Sequence, residues 1–204
     1  MSQRTTARRV SNICRAAVFL GIVFAGGAGA APSGGDAARG AARAAACESC
    51  HGSPQRLPLA GMPSLAGQQE EFLVLQMFLF REGLRDVPQM AGTLNGLSDQ
   101  DLTDIAAYFT RRTPLPHSAR RDPKLHARGA ELSRAMGCGS CHLKDYRGQR
   151  QVPRLTQQRE DYLVATMKAY RDSQRTGPDT NMNGAMYRVP DSDIQALAHY
   201  LAHQ

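Results

Sequence analysis

Cys47-Glu48-Ser49-Cys50-His51 returns further along the chain as Cys138-Gly139-Ser140-Cys141-His142. The pattern C-x-x-C-H reads as a c-type haem attachment site. Two cysteines so spaced can form thioethers to the two vinyl groups of one porphyrin, and the adjacent histidine can then reach the iron. The duplicated motif predicts two covalently attached haem c groups, with cysteine pairs Cys47/Cys50 and Cys138/Cys141 and proximal ligands His51 and His142. C-x-x-C has other readings: half of a structural zinc site, a redox dithiol following a strand, or a disulfide in an oxidising compartment. The histidine after both pairs and the helical periodicity around them favour haem.

The repeat extends well beyond the pentapeptide. Pro63-Ser64-Leu65-Ala66-Gly67-Gln68 follows the first copy and Pro153-Arg154-Leu155-Thr156-Gln157-Gln158 the second. Leu73, Gln76, Met77 and Phe80, then Leu163, Thr166, Met167 and Tyr170, fall at i, i+3, i+4, i+7, one face of a helix. Arg81 and Arg171 close these segments. Leu102, Ile105, Ala106 and Phe109 match Ile194, Leu197, Ala198 and Leu201 in a last helix of each half. Ser98 with Asp101 resembles a capping box, and Pro190 suits a first helical position. Short helices over 40–46 and 129–137 are expected to end at the first cysteine of each motif. No hairpin signal interrupts these periods. The expected fold is all-α: two tandem helical domains, each wrapped around one haem. The boundaries read as a signal peptide at 1–30, a first domain at 36–113, a proline-rich linker at 114–123 and a second domain at 124–204.

Haem iron needs a second axial ligand on the face opposite histidine, and a Met/His pair raises the potential and closes the iron to small ligands. Met90 and Met182 lie in corresponding loops, each eight residues before the aligned pair Ser98 and Pro190. Their shared placement makes them the distal candidates. Met186 is the rival to Met182, although it aligns with Leu94, which favours packing. Met77 and Met167 sit on apolar helix faces and read as core. Met62 follows His51 too soon for a chain that must still turn under the ring. His117, His126, His199 and His203 read as solvated surface histidines.

Arg4, Arg8, Arg9 and Arg15 precede an apolar run from Ala16 through Phe24 that leads to Ala28-Gly29-Ala30, the layout of a cleaved secretory signal. An uncleaved membrane anchor is the alternative, but the run is short for a span of about 20 residues. Removing the leader takes away Cys14, so every remaining cysteine belongs to the two motifs. It also removes four of 25 basic residues against 18 acidic ones, so the formal charge falls from +7 to +3. Nucleic-acid binding gains nothing from so small a charge. Two domains of roughly 80 residues without tryptophan would build marginal cores, a deficit that a large apolar cofactor corrects.

These residues resemble the dihaem cytochrome c4 family, in which two class I cytochrome c domains are fused in tandem. The likeness rests on both C-x-x-C-H sites, Pro63 to Gln68, the methionine loops, Leu97-Ser98-Asp99 and Ala107-Tyr108-Phe109. It implies a periplasmic electron carrier whose two haems lie close across a pseudo-twofold interface. It also implies delivery of single electrons from a quinol-oxidising complex to a terminal oxidase. In such domains a glycine of the first helix meets an aromatic of the last, which points to Gly40 with Tyr108 and Gly129 with Tyr200. The second half departs from the pattern. Thr156-Gln157 replaces the usual Ala-Gly, Leu143 follows His142 where glycine is common, and the Met182 loop is longer than its counterpart.

The first-half segment Phe72–Phe80 is apolar nearly all round, through Phe72, Leu75, Phe78 and Leu79. Such a helix is normally buried, here against the other domain; the second reading is a docking surface for a redox partner or membrane subunit. Function reads as a soluble electron shuttle without substrate chemistry. The alternatives are an electron-accepting subunit of a periplasmic dehydrogenase, for sulfide or alcohol oxidation, and a dihaem peroxidase-type enzyme, which would need an open iron.

Overall fold

In the computed structural model, which describes residues 34–116, 120–175 and 181–204, Asp36 starts the first helix. Its carboxylate accepts the backbone N–H groups of Ala38 (2.8 Å) and Arg39 (3.2 Å), two donors a helix start leaves unpaired. Helix α1 then runs Ala37–His51, longer than the expected segment, and carries the whole first motif. Its second-half counterpart is broken. Helix α4 covers Pro123–Ala135, beginning at the last residue of the stretch read as linker, and the short α5 covers Gly139–His142. Gly137 (φ 68°) makes the break, where Ala46 continues the helix in the first half. The proposed signal segment and His117 lie outside the described residues.

Helices α2 (Glu70–Arg81) and α3 (Asp99–Thr110) complete the first half, with a 3-10 turn at Pro88–Met90 between them. The capping box is formed: Ser98 Oγ accepts from Asp101 N (3.2 Å), and Asp101 Oδ2 accepts from Ser98 N (2.9 Å). The second half adds α6 (Glu160–Arg171), α7 (Asn181–Met186) and α8 (Asp191–Ala202). Pro190 precedes α8 as its N-cap rather than opening it. The described residues contain no β-strand, only two isolated bridges, and no helix among them is long and apolar enough to cross a membrane.

Each half has its own core. Ala44, Leu73, Ile105, Ala106 and Phe109 form the first, with Met77 against it; Leu163, Met167, Met186, Ile194 and Leu197 belong to the second. In both halves the first and last helices cross at a glycine. A Cβ on Gly129 would lie 2.1 Å from Ala196 O and 2.5 Å from Tyr200 Cβ, the pairing expected. The atoms nearest a Cβ on Gly40 belong to the backbone of Asp104, its carbonyl oxygen 2.0 Å away, one turn before Tyr108. Asp104 stands where the second half has Ala196. Its carboxylate accepts from Arg39 Nε (2.7 Å) and Asp36 N (2.7 Å), and the Arg39 contact above all holds its pKa down at about 2.

The residue closing each motif helix takes a positive φ: Gly52 (φ 89°, ψ 151°) and Leu143 (φ 67°, ψ 163°). Only glycine visits this region without strain, which for other residues is of order 1–3 kcal/mol. Leu143→Gly is therefore expected to stabilise the protein by about 1 kcal/mol after the extra chain entropy of glycine. Chemical denaturation of the haem-loaded protein checks this, and an unchanged midpoint would show that the loop relaxes around leucine.

The halves meet along a seam with pseudo-twofold pairing. Gln68 Nε2 donates to Arg154 O (3.1 Å), as Gln158 Nε2 donates to Ser64 O (3.0 Å). Gln69 Nε2 donates to Arg147 O (2.8 Å), and its counterpart Arg159 donates to Pro58 O (3.2 Å). Arg154 breaks the symmetry, since Ser64 occupies its place in the first half. Its buried guanidinium donates across the seam to Ala66 O (2.8 Å) and Gly67 O (3.1 Å), and within its own half to Thr156 O. Desolvation lowers its pKa to about 10. On α2, Leu79 is buried but Phe78 is 40% exposed, so the other half does not cover the whole apolar surface.

Candidate haem-attachment sites

Cys47 and Cys50 lie one turn apart on α1, hence on one face, with His51 beside them. Cys47 packs against the first core and Cys138 against the second, and burial pushes both thiols up from their ordinary pKa. None of the four motif cysteines is in a disulfide, which leaves all four available for thioether formation. Glu48, inside the first motif, accepts from Tyr108 Oη (2.5 Å) and pairs with Arg112, tying the motif to the end of α3.

The histidines share one geometry. His51 Nδ1 lies 3.0 Å from Pro63 O, and His142 Nδ1 lies 2.9 Å from Pro153 O. A carbonyl can only accept, so Nδ1 carries the proton in both rings and Nε2 holds the lone pair. This is the tautomer and outer hydrogen bond that iron-binding imidazoles use. Burial pushes the His51 pKa down, which keeps that ring neutral.

Met90 ends the 3-10 turn and is half-buried. Met182 lies near the start of α7, half-buried, at the margin of the second core. Met186, at the other end of α7, is 3% exposed and sits within that core. The adjacent Asn183 pins α7 by donating to Tyr170 O (2.8 Å) and Arg175 O (3.1 Å). Arg85 Nε is buried without a hydrogen-bond partner among the described residues. The side chains present fit a haem: paired thiols outside any disulfide, and two histidines whose Nδ1 is turned to a carbonyl.

His199 corrects the reading of a solvated histidine. It is 4% exposed; its Nε2 accepts from Asp122 N (2.8 Å), so Nδ1–H donates to Glu160 Oε2 (2.9 Å). It thereby ties the starts of α4 and α6 to α8. His203 and Glu160 lie close by, within reach of a shared metal ion, but both His199 nitrogens are already committed. His126 is half-buried, edge-on to Tyr200 at 5.0 Å. Nothing in the helical period marks His199 as buried, because its partners are far away in sequence.

An all-helical repeat that twice presents paired thiols and an Nδ1-protonated histidine defines a c-type cytochrome with two haem sites. The cytochrome c family model matches residues 126–204. Cytochrome c4 of Pseudomonas aeruginosa is 36% identical over 184 residues, covering 85% of this chain and 90% of that protein. The chain belongs to the cytochrome c4 family. The crystal structure of reduced recombinant cytochrome c4 from Pseudomonas stutzeri is similar to it with a TM-score of 0.73 and 34% identity, covering 82% of this chain and 98% of that one. The thiosulfate dehydrogenase electron acceptor of Thiomonas intermedia is 33% identical over 172 residues, 79% of each chain. The protein is a dihaem electron-transfer cytochrome with covalently bound haem c in each half, and its partners are redox proteins.

Proposed function

We propose that the protein shuttles single electrons between respiratory-chain partners in the periplasm. Cys47 and Cys50 would anchor one haem and Cys138 and Cys141 the other, with His51 and Met90 as the iron ligands of the first and His142 and Met182 as those of the second. A haem held in this way supplies a one-electron Fe(III)/Fe(II) couple. The observation that carries this reading is the matched hydrogen bond from each histidine Nδ1 to a proline carbonyl. It orients each ring, and it makes Nε2 the electron-pair donor. A methionine sulfur as the second iron ligand would raise the potential and leave no position for peroxide, which supports a carrier rather than an enzyme. The separate cores support domains at 36–113 and 124–204, joined by the 114–123 linker. The arginine-led apolar leader at 1–30 supports export.

A quinol-oxidising complex as donor and a terminal oxidase as acceptor suit such a carrier. The likeness to a thiosulfate dehydrogenase electron acceptor favours, as the second reading, service to a periplasmic dehydrogenase. Optical redox titration of protein from a haem-maturing host is the test. Two haems per chain, two one-electron steps and a methionine-to-iron charge-transfer band from both haems are expected. A single haem, or a high-spin signal from either, would overturn the carrier assignment.

A further inference from the structure

One peptide group links each proximal histidine to a glutamine of the opposite half. The Pro63–Ser64 peptide gives its carbonyl to His51 Nδ1 (3.0 Å) and its N–H to Gln158 Oε1 (2.7 Å). The Pro153–Arg154 peptide gives its carbonyl to His142 Nδ1 (2.9 Å) and its N–H to Gln68 Oε1 (2.6 Å). The amide orientations are set by their surroundings. Each Oε1 also accepts the N–H of the next residue, Gln69 or Arg159, both at 2.9 Å, while each Nε2 faces a carbonyl. Ser64, Gln68, Arg154 and Gln158 are all buried, so water does not compete for these groups.

Hydrogen bonds in series polarise one another, by roughly 10–30% per bond. A peptide whose N–H is engaged has a more negative carbonyl oxygen. That oxygen pulls harder on the imidazole proton and makes the ring a stronger electron donor, as outer partners of ligating histidines do. A stronger donor favours Fe(III), the more positive state of the couple, and so lowers the reduction potential.

We infer that Gln68 and Gln158 are positioning residues that act across the seam, each setting the potential of the haem in the half to which it does not belong. The inference rests on the assignment of His51 and His142 as iron ligands. A single chain would thereby adjust each iron through its neighbouring domain, so that closure of the seam and haem potential are linked.

The test uses the full-length, haem-loaded protein and a redox titration resolved by haem through the NMR signals of the ring methyl groups. Gln158→Met keeps the volume and removes the acceptor. It is expected to raise the potential of the first-half haem, shift the Nδ1–H resonance of His51, and leave the second haem unmoved. Gln68→Met should do the reverse, acting on the second haem and His142. Gln158→Asn and Gln68→Asn, whose shorter side chains weaken the same bond, should give smaller shifts of the same sign. A shift confined to the variant's own half, a shift shared by both haems as an opened seam would produce, or no shift would overturn the inference. Failure of the ligand assignment is separately visible, because a wild-type haem without a histidine Nδ1–H signal would show it whatever the glutamine variants do.

Discussion

Gly129→Val is expected to prevent the second half from folding around its haem, and Gly129→Ala to cost about 3 kcal/mol or more, at the large end of single substitutions. The reason is the approach of α4 to α8. A Cβ at position 129 would stand 2.1 Å from Ala196 O and 2.5 Å from Tyr200 Cβ, whereas carbon atoms pack best at about 3.5–4.0 Å. The Ala196 carbonyl belongs to the α8 backbone and cannot rotate away. The helices must part by an ångström or more, and the contacts of Leu132, Ile194 and Leu197 open with them. Overpacking in a tight core typically costs 1–3 kcal/mol, and here the obstacle is main chain rather than a pliant side chain. Gly40→Ala should injure the first half in the same way, through Asp104 O at 2.0 Å. Gly184→Ala, which meets nothing within 4 Å, is the control and should leave stability near that of the wild type. Thermal unfolding followed by haem absorbance and far-UV circular dichroism reads all four variants. A Gly129→Ala protein within 1 kcal/mol of wild type would show that the crossing is looser than described.

Met182→Leu is expected to remove the charge-transfer band of one haem, generate a high-spin signal and lower that haem's potential, while the other haem keeps its wild-type values. Leucine fills similar volume without a sulfur lone pair, so the effect isolates ligation from packing. Met186→Leu should retain both bands and change stability by less than about 1.5 kcal/mol, the usual range for a volume-conserving core exchange. The expectation follows from placement: Met186 lies in the core beside α8, whereas Met182 sits at its margin. Met90→Leu provides the first-half counterpart. Loss of the band in Met186→Leu with its survival in Met182→Leu would transfer the ligand role to Met186.

Much of this molecule could be read along the chain because its decisive features are local or periodic. The C-x-x-C-H spacing, the apolar stripes of α2, α3, α6 and α8, and the Ser98 capping box involve residues within a few positions of one another. Duplication then supplied a second register in which to check each assignment, as with Met90 and Met182. Other features escaped because a residue's type does not reveal its distant partners. His199 reads as a surface histidine at a helix end, but Asp122 and Glu160 close around it from two other helices. Asp104 interrupts an apolar face without warning, and its partners Arg39 and Asp36 come from the far end of the domain. The nearly all-apolar Phe72–Phe80 stretch favoured burial against the other domain, yet Phe78 remains 40% exposed.

The amino-acid sequence by itself determined the helical class, the duplication, and the paired thiols and adjacent imidazoles of the two C-x-x-C-H motifs, and it is the source of the proposal that Met90 and Met182 serve them. Short-range geometry suffices for these, since a helix repeats every 3.6 residues and a motif of five needs no outside help. Tertiary structure alone decided which histidine is sealed in, and how the halves join through Gln68, Gln158 and the unpaired-in-symmetry Arg154. Those outcomes depend on contacts between residues some 40 to 100 positions apart, such as Gln158 with Ser64, which form only after both helical units are folded and water is excluded between them.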